Sequence, residues 1–220
     1  MGDQASTPAP EGLRERKKRR TREHISTVAT TLFVERGFDQ VAVTDVAATA
    51  EVSVNTVYNY FPTKEDLVLP PDEASPRRLA DIAATRAIGT SPARAVLDRL
   101  RHELRSRDRR LGLTEGFGRV FTMMRAAPTL MARLESLGEQ MVDALADQLA
   151  AEGDTGRGDP RPRLVAGQIG WVHATVFAEI GSRVTAGQRP DAIATAVLEL
   201  LDVIEELLSE RVLDYATRQE

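Results

Sequence analysis

The sequence predicts an all-α protein of about nine or ten helices. Apolar residues recur at three- and four-residue intervals in every long segment, and no alternating strand pattern or internal repeat is present. Apolar residues make up 42% of the 220 residues and aromatic residues only 5%, a balance typical of helical cores rich in Ala and Leu. Proline and glycine collect in a few places, where they mark helix ends.

Composition divides the chain into three parts. Residues 1–15 are polar and Pro-rich at their start, so we expect a disordered tail. Residues 16–70 form a small helical domain that ends at Pro70 and Pro71. Residues 71–220 form a larger helical domain.

The small domain begins with a helix expected at 16–36, stopped by Gly37 as a C-cap. Two short helices follow within 42–61. A turn at Pro62 and Thr63 then leads into another short helix that starts at Lys64.

The large domain contains six further helices. Ser91 and Pro92 give a clear helix start, with a Ser N-cap and Pro in the first turn. The composition of 152–160 predicts a loop, and 187–190 separates the last two helices. The helices are expected at about 76–87, from 91 through at least 104, 115–126, 129–151, 162–186 and 190–216.

Charge and composition exclude several classes of protein. The net charge is -4 and Cys is absent, which removes disulfides and thiolate metal sites. No apolar run approaches the roughly 20 residues that span a bilayer, and no signal peptide is present, so we expect a soluble, cytoplasmic protein without a membrane partner. The basic residues concentrate at 14–22 and the acidic residues at 199–214. A basic end beside an acidic body is typical of a nucleic-acid binder with a separate second domain.

Residues 52–64 are the most informative segment. As a helix, this segment would bury Val54, Val57 and Phe61 on one face. The opposite face would carry uncharged hydrogen-bonding groups suited to base edges and phosphates: Asn55, Thr56, Tyr58 and Asn59. A second short helix at 43–50 precedes it by about three residues, which is the spacing of a helix-turn-helix motif.

This region resembles the DNA-binding domain of TetR-type transcriptional regulators. The matching residues are Ala29, Leu32, Phe33, Gly37, Phe38, Val46, Ala47, Ala50, Val52, Ser53, Val57, Tyr58, Asn59, Tyr60, Phe61, Lys64 and Leu67. The resemblance implies a homodimer on a double-stranded, palindromic DNA operator. It also implies a four-helix dimer interface made by the last two helices of each subunit, and a small effector in the C-terminal domain.

Two positions depart from the family pattern. Ala42 stands where the family usually has the N-cap Thr, and Thr44 or Asp45 would have to replace its hydroxyl in part. Glu51 stands where the family favours Gly. If Glu51 is left-handed there, the strain is roughly 1–2 kcal/mol.

The predicted DNA contacts lie in the helix-turn-helix and the basic segment before it. We assign base reading to Asn55, Thr56 and Asn59, and phosphate contacts to Tyr58, Lys64 and the arginine cluster. The alternatives are a solvated helix start for the basic segment and simple packing for the tyrosines. The full set is Arg19, Arg20, Arg22, Thr44, Ser53, Asn55, Thr56, Tyr58, Asn59, Tyr60 and Lys64.

The large domain offers two further candidate sites. A ligand pocket, or else ordinary core, is predicted at Phe117, Phe121, Met124, Trp171, His173 and Phe177. The last helix carries an apolar seam for the partner subunit, with a second stripe at Leu201 and Leu208. The predicted seam is Ile193, Val197, Leu200, Ile204 and Leu207, which the alternative places in the chain's own core.

No catalytic constellation, phosphate loop or metal-ligand spacing is present, so we expect no cofactor and no enzymatic activity. The sequence therefore predicts a regulator, a repressor that a small effector releases from its operator. The alternative is a constitutive or architectural DNA-binding dimer without a small-molecule ligand. An enzyme carrying a helix-turn-helix is a third and weaker interpretation.

Overall fold

The computed structural model describes residues 12–69, 74–153 and 158–218. Within these ranges the chain forms helices and turns and no strand, which confirms the all-α prediction. The chain divides into two compact units, Met1–Pro70 and Pro71–Glu220, here called the N-terminal and C-terminal units.

The N-terminal unit packs three helices and one 3-10 turn around a small core. Its elements are α1 (Leu13–Arg36), α2 (Val43–Thr49), α3 (Val54–Tyr60) and a 3-10 turn (Glu65–Leu67). α1 ends where the Gly37 N–H donates to the Phe33 carbonyl at 2.9 Å. The core residues are Ile25, Ala29, Leu32, Phe33, Phe38, Val41, Val46, Ala47, Ala50, Val57, Phe61 and Leu67.

α1 begins earlier than the sequence predicted. Of the residues assigned to the tail, 1–11 lie outside the described ranges, whereas α1 already begins at Leu13. The placement of residues 13–15 in the tail was therefore wrong. Leu, Arg and Glu are strong helix formers, so they extend α1 toward the N-terminus without needing packing partners.

The C-terminal unit packs seven helices around one large core. α7 packs on α8 and α4, α8 also packs on α6 and α9, and α5 packs on α9 and α4. The elements are α4 (Arg78–Ala84), α5 (Pro92–Ser106), a 3-10 turn (Arg109–Leu111), α6 (Phe117–Ala126), α7 (Pro128–Glu152), α8 (Arg161–Thr185), α9 (Pro190–Leu207) and α10 (Glu210–Leu213).

The last predicted helix is interrupted. The sequence predicted one helix over 190–216, but α9 ends at Leu207 and Leu208 adopts an extended conformation with ψ 135°. Ser209 is the N-cap residue of α10. The turn brings Val212 and Leu213 into the core, each only 6% exposed. Burial of these two side chains compensates for the break, which helical periodicity alone does not reveal.

Arginines of α5 pair with the acidic face of α9. Arg101 Nη2 lies 2.8 Å from Asp202 and 2.6 Å from Glu205, and Arg107 Nε lies 2.9 Å from Asp191. The exposed Arg107–Asp191 pair contributes at most about 1 kcal/mol, and together with the half-buried Arg101 pairs it helps to fix how α5 and α9 align. Asp202 and Glu205 of the acidic segment are thus matched within their own unit.

A segment after α10 is tied to the loop that follows α4. Gly89 N–H donates to the Arg218 carbonyl at 2.8 Å, and Arg218 N–H donates to the Thr90 carbonyl at 3.1 Å. The buried Arg86 donates through Nη2 to the Ala216 carbonyl at 2.8 Å, and Arg218 Nη1 donates to the Arg86 carbonyl at 2.9 Å. We call this set (Arg86, Gly89, Thr90, Ala216 and Arg218) the clasp.

Candidate nucleic-acid interface

The turn between α2 and α3 is tight and contains a left-handed residue. Val52 N–H donates to the Ala47 carbonyl at 3.0 Å, closing the turn on α2. Glu51 has φ 54°, in the region that favours glycine. The left-handed conformation considered for Glu51 is therefore present, and this residue carries strain of roughly 1–2 kcal/mol.

α2 is capped from inside its first turn. The Asp45 Oδ2 atom accepts a hydrogen bond from the Ala42 N–H at 2.8 Å. Asp45 therefore supplies half of a capping box, compensating in part for the missing N-cap hydroxyl. Thr44 is exposed at the start of the helix and takes no part in this cap.

α3 is capped by Ser53, and the cap also holds Thr56. Ser53 Oγ accepts from the Thr56 N–H at 3.0 Å, and the two hydroxyl oxygens lie 2.8 Å apart. Beneath them Val57 is 1% exposed, so one side of this seven-residue helix is fixed on the core. Thr56 is half-buried, and its hydroxyl is bonded to the capping residue.

The opposite side of α3 presents amides and a phenol to solvent. Asn55 and Asn59 are exposed, Tyr58 is 49% exposed, and Tyr60 is half-buried. A side-chain amide can donate to and accept from the same adenine edge, and a phenol can donate to phosphate. Of the three residues predicted to read bases, Asn55 and Asn59 are exposed and Thr56 is bonded to Ser53, and base reading stays a prediction for all three.

Lys64 has partners inside the N-terminal unit. Its Nζ donates to the Phe38 carbonyl at 2.6 Å and lies 4.3 Å from the centre of the Phe38 ring. This ammonium therefore fastens the 3-10 turn to the end of α1. The predicted phosphate contact of Lys64 stays a prediction.

The helix predicted to start at Lys64 is a single 3-10 turn with satisfied end groups. Thr63 N–H donates to Asp66 Oδ2 at 3.1 Å, and Asp66 N–H donates to Thr63 Oγ1 at 3.2 Å. Asp66 places a buried carboxylate at this end. The amide groups at this end are thus occupied, and the local charge is negative.

The first turns of α1 form a continuous basic surface. Arg19 and Arg20 are exposed, as are the basic residues before them, and Arg19 Nε lies 3.8 Å from Glu23. Arg22 is half-buried, with its guanidinium 5.3 Å from the centre of the Phe61 ring. Arg19 and Arg20 are thus accessible to phosphates, whereas Arg22 lies against the core.

The predicted ligand pocket is divided between two faces of α8. Trp171 is 52% exposed on the outer face, whereas His173, two residues later, points inward with a solvent-inaccessible Nε2. Residues two apart on a helix project about 200° apart. The assignment of Trp171 to the same pocket as His173 was therefore wrong.

The phenylalanines of α6 pack on glycines. A Cβ on Gly112 would overlap the Phe117 ring, and a Cβ on Gly181 would overlap the Phe121 ring. Met124 is 5% exposed. The contact between Gly181 and Phe121 brings α6 close to α8, and both contacts favour the core interpretation for Phe117 and Phe121. The sequence offered a signal for it, since glycine inside a helix permits close approach.

The predicted dimer seam on α9 is also divided. Ile193 and Val197 are 0% exposed and Ile204 is 2% exposed, all covered by helices of the same chain. For these three residues the intersubunit assignment was wrong. Leu200 is half-buried, and Leu207 is 76% exposed.

A different set of large apolar residues faces solvent on α8 and α9. Leu164 and Trp171 on α8 are 62% and 52% exposed, and Val203 and Leu207 on α9 are 51% and 76% exposed. We call these four residues the apolar outer face. Leu164, Trp171 and Leu207 line an open groove of about 670 Å³. The sequence analysis missed Leu164 and Val203, although Leu164 and Trp171 are spaced seven residues apart on one side of α8.

Two further kinds of site are not found in the described ranges. None of the helices there combines the length and apolarity needed to cross a bilayer. No three His, Asp or Glu side chains in those ranges are grouped to hold a metal ion.

The sequence matches the family model for bacterial regulatory proteins of the tetR family over residues 25–69. The chain is 33% identical to the HTH-type transcriptional regulator TcmR of Streptomyces glaucescens over 164 residues, covering 73% of each protein.

Solved structures share the fold across most of the chain. NalD, the secondary repressor of the MexAB-OprM multidrug efflux pump in Pseudomonas aeruginosa, matches with a TM-score of 0.52 at 18% identity, covering 84% of this chain and 96% of NalD. A complex of SmeT with triclosan matches with a TM-score of 0.53 at 18% identity, covering 91% of this chain and 98% of SmeT.

A capped α2–turn–α3 unit beside a larger helical unit defines the class of helix-turn-helix regulators. Within that class, the matches over the motif and over three quarters of the chain are decisive. The chain belongs to the TetR family of bacterial transcriptional regulators.

Proposed function

We propose that this chain is a repressor that binds a palindromic DNA operator as a homodimer and leaves it when a small effector binds the C-terminal unit. The observation that carries the proposal is the solvent face of α3. Asn55, Tyr58 and Asn59 are exposed there, while Val57 is buried and the Ser53 cap holds the helix in place. A rigid helix with an amide-bearing face suits the major groove.

In this proposal the two kinds of DNA contact come from different elements. Asn55 and Asn59 read base edges from α3, and Tyr58 donates to a phosphate beside them. Thr44 lies exposed at the start of α2 and extends the phosphate contacts. The exposed Arg19 and Arg20 on α1 add attraction to phosphates that is independent of sequence.

The apolar outer face supports the homodimer. All four of its residues are more than half exposed, an unusual concentration for a monomer. Pairing this face with its symmetry copy would bury it twice and form a four-helix contact from α8 and α9. A dimer is also what a short recognition helix needs, because a single module contacts too few bases for useful specificity.

Effector binding would act through the spacing of the two recognition helices. Half-sites in successive major grooves lie about 34–36 Å apart, so a displacement of a few ångströms between subunits opposes simultaneous binding. The effector must therefore bind one spacing better than the other. The structurally similar SmeT forms a complex with triclosan, and NalD is a secondary repressor of a multidrug efflux pump. We propose the same mode of response for this chain.

Selection from a random library of double-stranded DNA tests the proposal. The wild-type protein should enrich a palindromic sequence whose half-site centres are about one helical turn, or a whole number of turns, apart. The matched controls are Asn59→Ala, which should relax one position of each half-site, and Gln188→Ala in an exposed loop, which should change nothing. No enrichment over input DNA, or enrichment of a single asymmetric half-site, would overturn the proposal.

A further inference from the structure

Two buried polar atoms in the C-terminal unit lack partners. Among the described residues, neither Arg78 Nε on α4 nor His173 Nε2 on α8 has a hydrogen bond, although both are inaccessible to solvent. A buried donor or acceptor left unpaired costs about 1–3 kcal/mol, and in folded proteins such groups generally meet a ligand or water. The Arg78 charge acts on the His173 imidazole, so the two side chains lie in one region of the unit and point to one binding site.

The Arg78 guanidinium is fixed in place by a buried carboxylate. Its Nη2 donates to Glu103 Oε2 at 2.5 Å, and Glu103 is 1% exposed. Glu103 also accepts from Arg99 Nε at 2.8 Å, so both of its oxygens are bonded. This pairing through Nη2 holds the planar guanidinium in a defined direction, and its Nε–H is the buried donor without a hydrogen bond.

His173 provides a neutral polar group beside an aromatic ring. Its ring centre lies 4.6 Å from that of Phe177, with 31° between the two planes. Burial, together with the nearby Arg78 charge, lowers the pKa of His173 to about 4. The imidazole is therefore neutral at pH 7, and in one tautomer its Nε2–H is a donor.

The charge balance favours an uncharged ligand. In the buried part of the site the Glu103 carboxylate balances the Arg78 guanidinium, and the second partner of Glu103, Arg99, is 44% exposed to solvent. An ionised ligand would bring a further buried charge without a counterion, which is costly. A carbonyl oxygen has two lone pairs and can accept from both Arg78 and His173 without that cost.

We infer that Arg78 and His173 form the polar end of the effector site, which takes an uncharged aromatic molecule bearing one acceptor oxygen. Phe177 provides the ring against which the aromatic part packs. This inference rests on the proposed effector response and specifies the chemistry of the ligand. It places the site on the inner side of α8, away from the apolar outer face.

A pair of probes of equal shape tests the inference with the full chain. 2-Acetylnaphthalene carries a carbonyl that 2-ethylnaphthalene lacks, and 2-naphthoate carries a charge. By calorimetric titration, 2-acetylnaphthalene should bind about tenfold more tightly than 2-ethylnaphthalene, the value of one good buried hydrogen bond. 2-Naphthoate should bind more weakly than 2-acetylnaphthalene.

Two variants test whether His173 and Arg78 cause the preference for the carbonyl probe. His173→Phe keeps the ring beside Phe177 and should reduce the tenfold preference to about twofold or less. Arg78→Lys keeps the charge opposite Glu103 but removes the Nε–H, and should have the same effect. His102→Phe, at an exposed histidine of α5, is the control and should keep the full preference. Melting curves of each variant report folding.

Three results would overturn the inference: equal or absent binding of the two naphthalenes to the wild type, an unchanged preference in a folded His173→Phe protein, or tighter binding of 2-naphthoate. The DNA selection described above, performed with the same wild-type sample, distinguishes failure of this inference from failure of the proposed function. A protein that enriches a palindrome but shows no probe preference refutes only the ligand chemistry.

Discussion

α3 and α9 are both amphipathic helices, yet they present opposite chemistry to solvent. α3 rests on Val57 and exposes amides, so it has one apolar face and that face is used within its own unit. α9 buries Ile204 against its own unit and still exposes Val203 and Leu207. A helix with one apolar face is complete inside a single chain. A helix with two apolar faces requires a second surface that covers the outer one. For α9 we expect that surface to belong to a partner subunit.

The largest expected effect contrasts two positions three residues apart on α9. Ile204→Glu would bury a carboxylate in the core and should lower the free energy of unfolding by about 4 kcal/mol or more, enough to unfold the C-terminal unit. Leu207→Glu should leave the fold intact but abolish the dimer, because it places two symmetry-related charges in the apolar outer face. Circular dichroism and analytical ultracentrifugation measure the two outcomes.

A neutral substitution controls for shape at the same site. Leu207→Met should keep both the fold and the dimer, since it conserves volume and polarity. A folded Leu207→Glu protein that still sediments as a dimer would contradict the assignment of the apolar outer face. Leu207 would then lie outside the dimer interface, and the exposed face of α9 would not be the face that meets a partner subunit.

On α3 the expected effect is smaller and concerns specificity. Asn59→Ala should weaken binding to the selected palindrome by about 1–3 kcal/mol and leave binding to random DNA unchanged, as expected for loss of a side-chain contact to a base. Fluorescence anisotropy with both DNAs measures the difference. Equal losses on the two DNAs would show that Asn59 only holds the backbone, and the polar face would then have a positioning role.

A substitution of Lys64 tests whether this side chain stabilises the N-terminal unit. Lys64→Met removes the bond to the Phe38 carbonyl and the cation–π contact, and should lower the free energy of unfolding by about 1–2 kcal/mol. Urea denaturation measures this. A salt titration of DNA binding on the same variant then addresses the predicted phosphate contact, since loss of one contact reduces the slope of log K against log salt by about 0.9. An unchanged unfolding curve would contradict the packing role.

The smallest effect isolates backbone strain in the turn that precedes α3. Glu51→Gly should stabilise the N-terminal unit by about 1 kcal/mol, because glycine adopts φ 54° without penalty. Glu51→Ala removes the same carboxylate but keeps a Cβ, so it should give no gain. Thermal melting compares the two variants, and equal stability of the Gly and Ala proteins would show that the strain is absent.

The local chemistry of the turn could be predicted from the sequence, because each determinant lies within a few residues. Glu51 at a glycine position and a replacement cap at Thr44 or Asp45 both follow from short-range rules. The hydrogen-bond partners of Thr56 and Lys64 could not be predicted. Thr56 bonds to Ser53 in preference to solvent, and Lys64 bonds to a carbonyl 26 residues away that no local pattern reveals.

The faces of the long helices were harder to assign for a different reason. Helical periodicity identifies apolar stripes but not which stripe meets which neighbour. Ile204 and Leu207 have the same chemistry and both fit the seven-residue pattern, yet their exposures are 2% and 76%. Only the position of α5 and α8 around α9 decides between them. The same ambiguity placed Trp171 and His173 in one pocket.

The clasp has a consequence for the order in which the chain matures on the ribosome. All the elements of the N-terminal unit are contained in the first seventy residues, so it can fold while the rest is being translated. The loop after α4 is different, because the Arg86 carbonyl accepts a hydrogen bond from Arg218, which lies 132 positions later in the chain. Until Arg218 emerges, the end of α4 has unpaired carbonyls and the C-terminal unit is incomplete. In a nascent chain the N-terminal unit can therefore fold well before the C-terminal unit is complete.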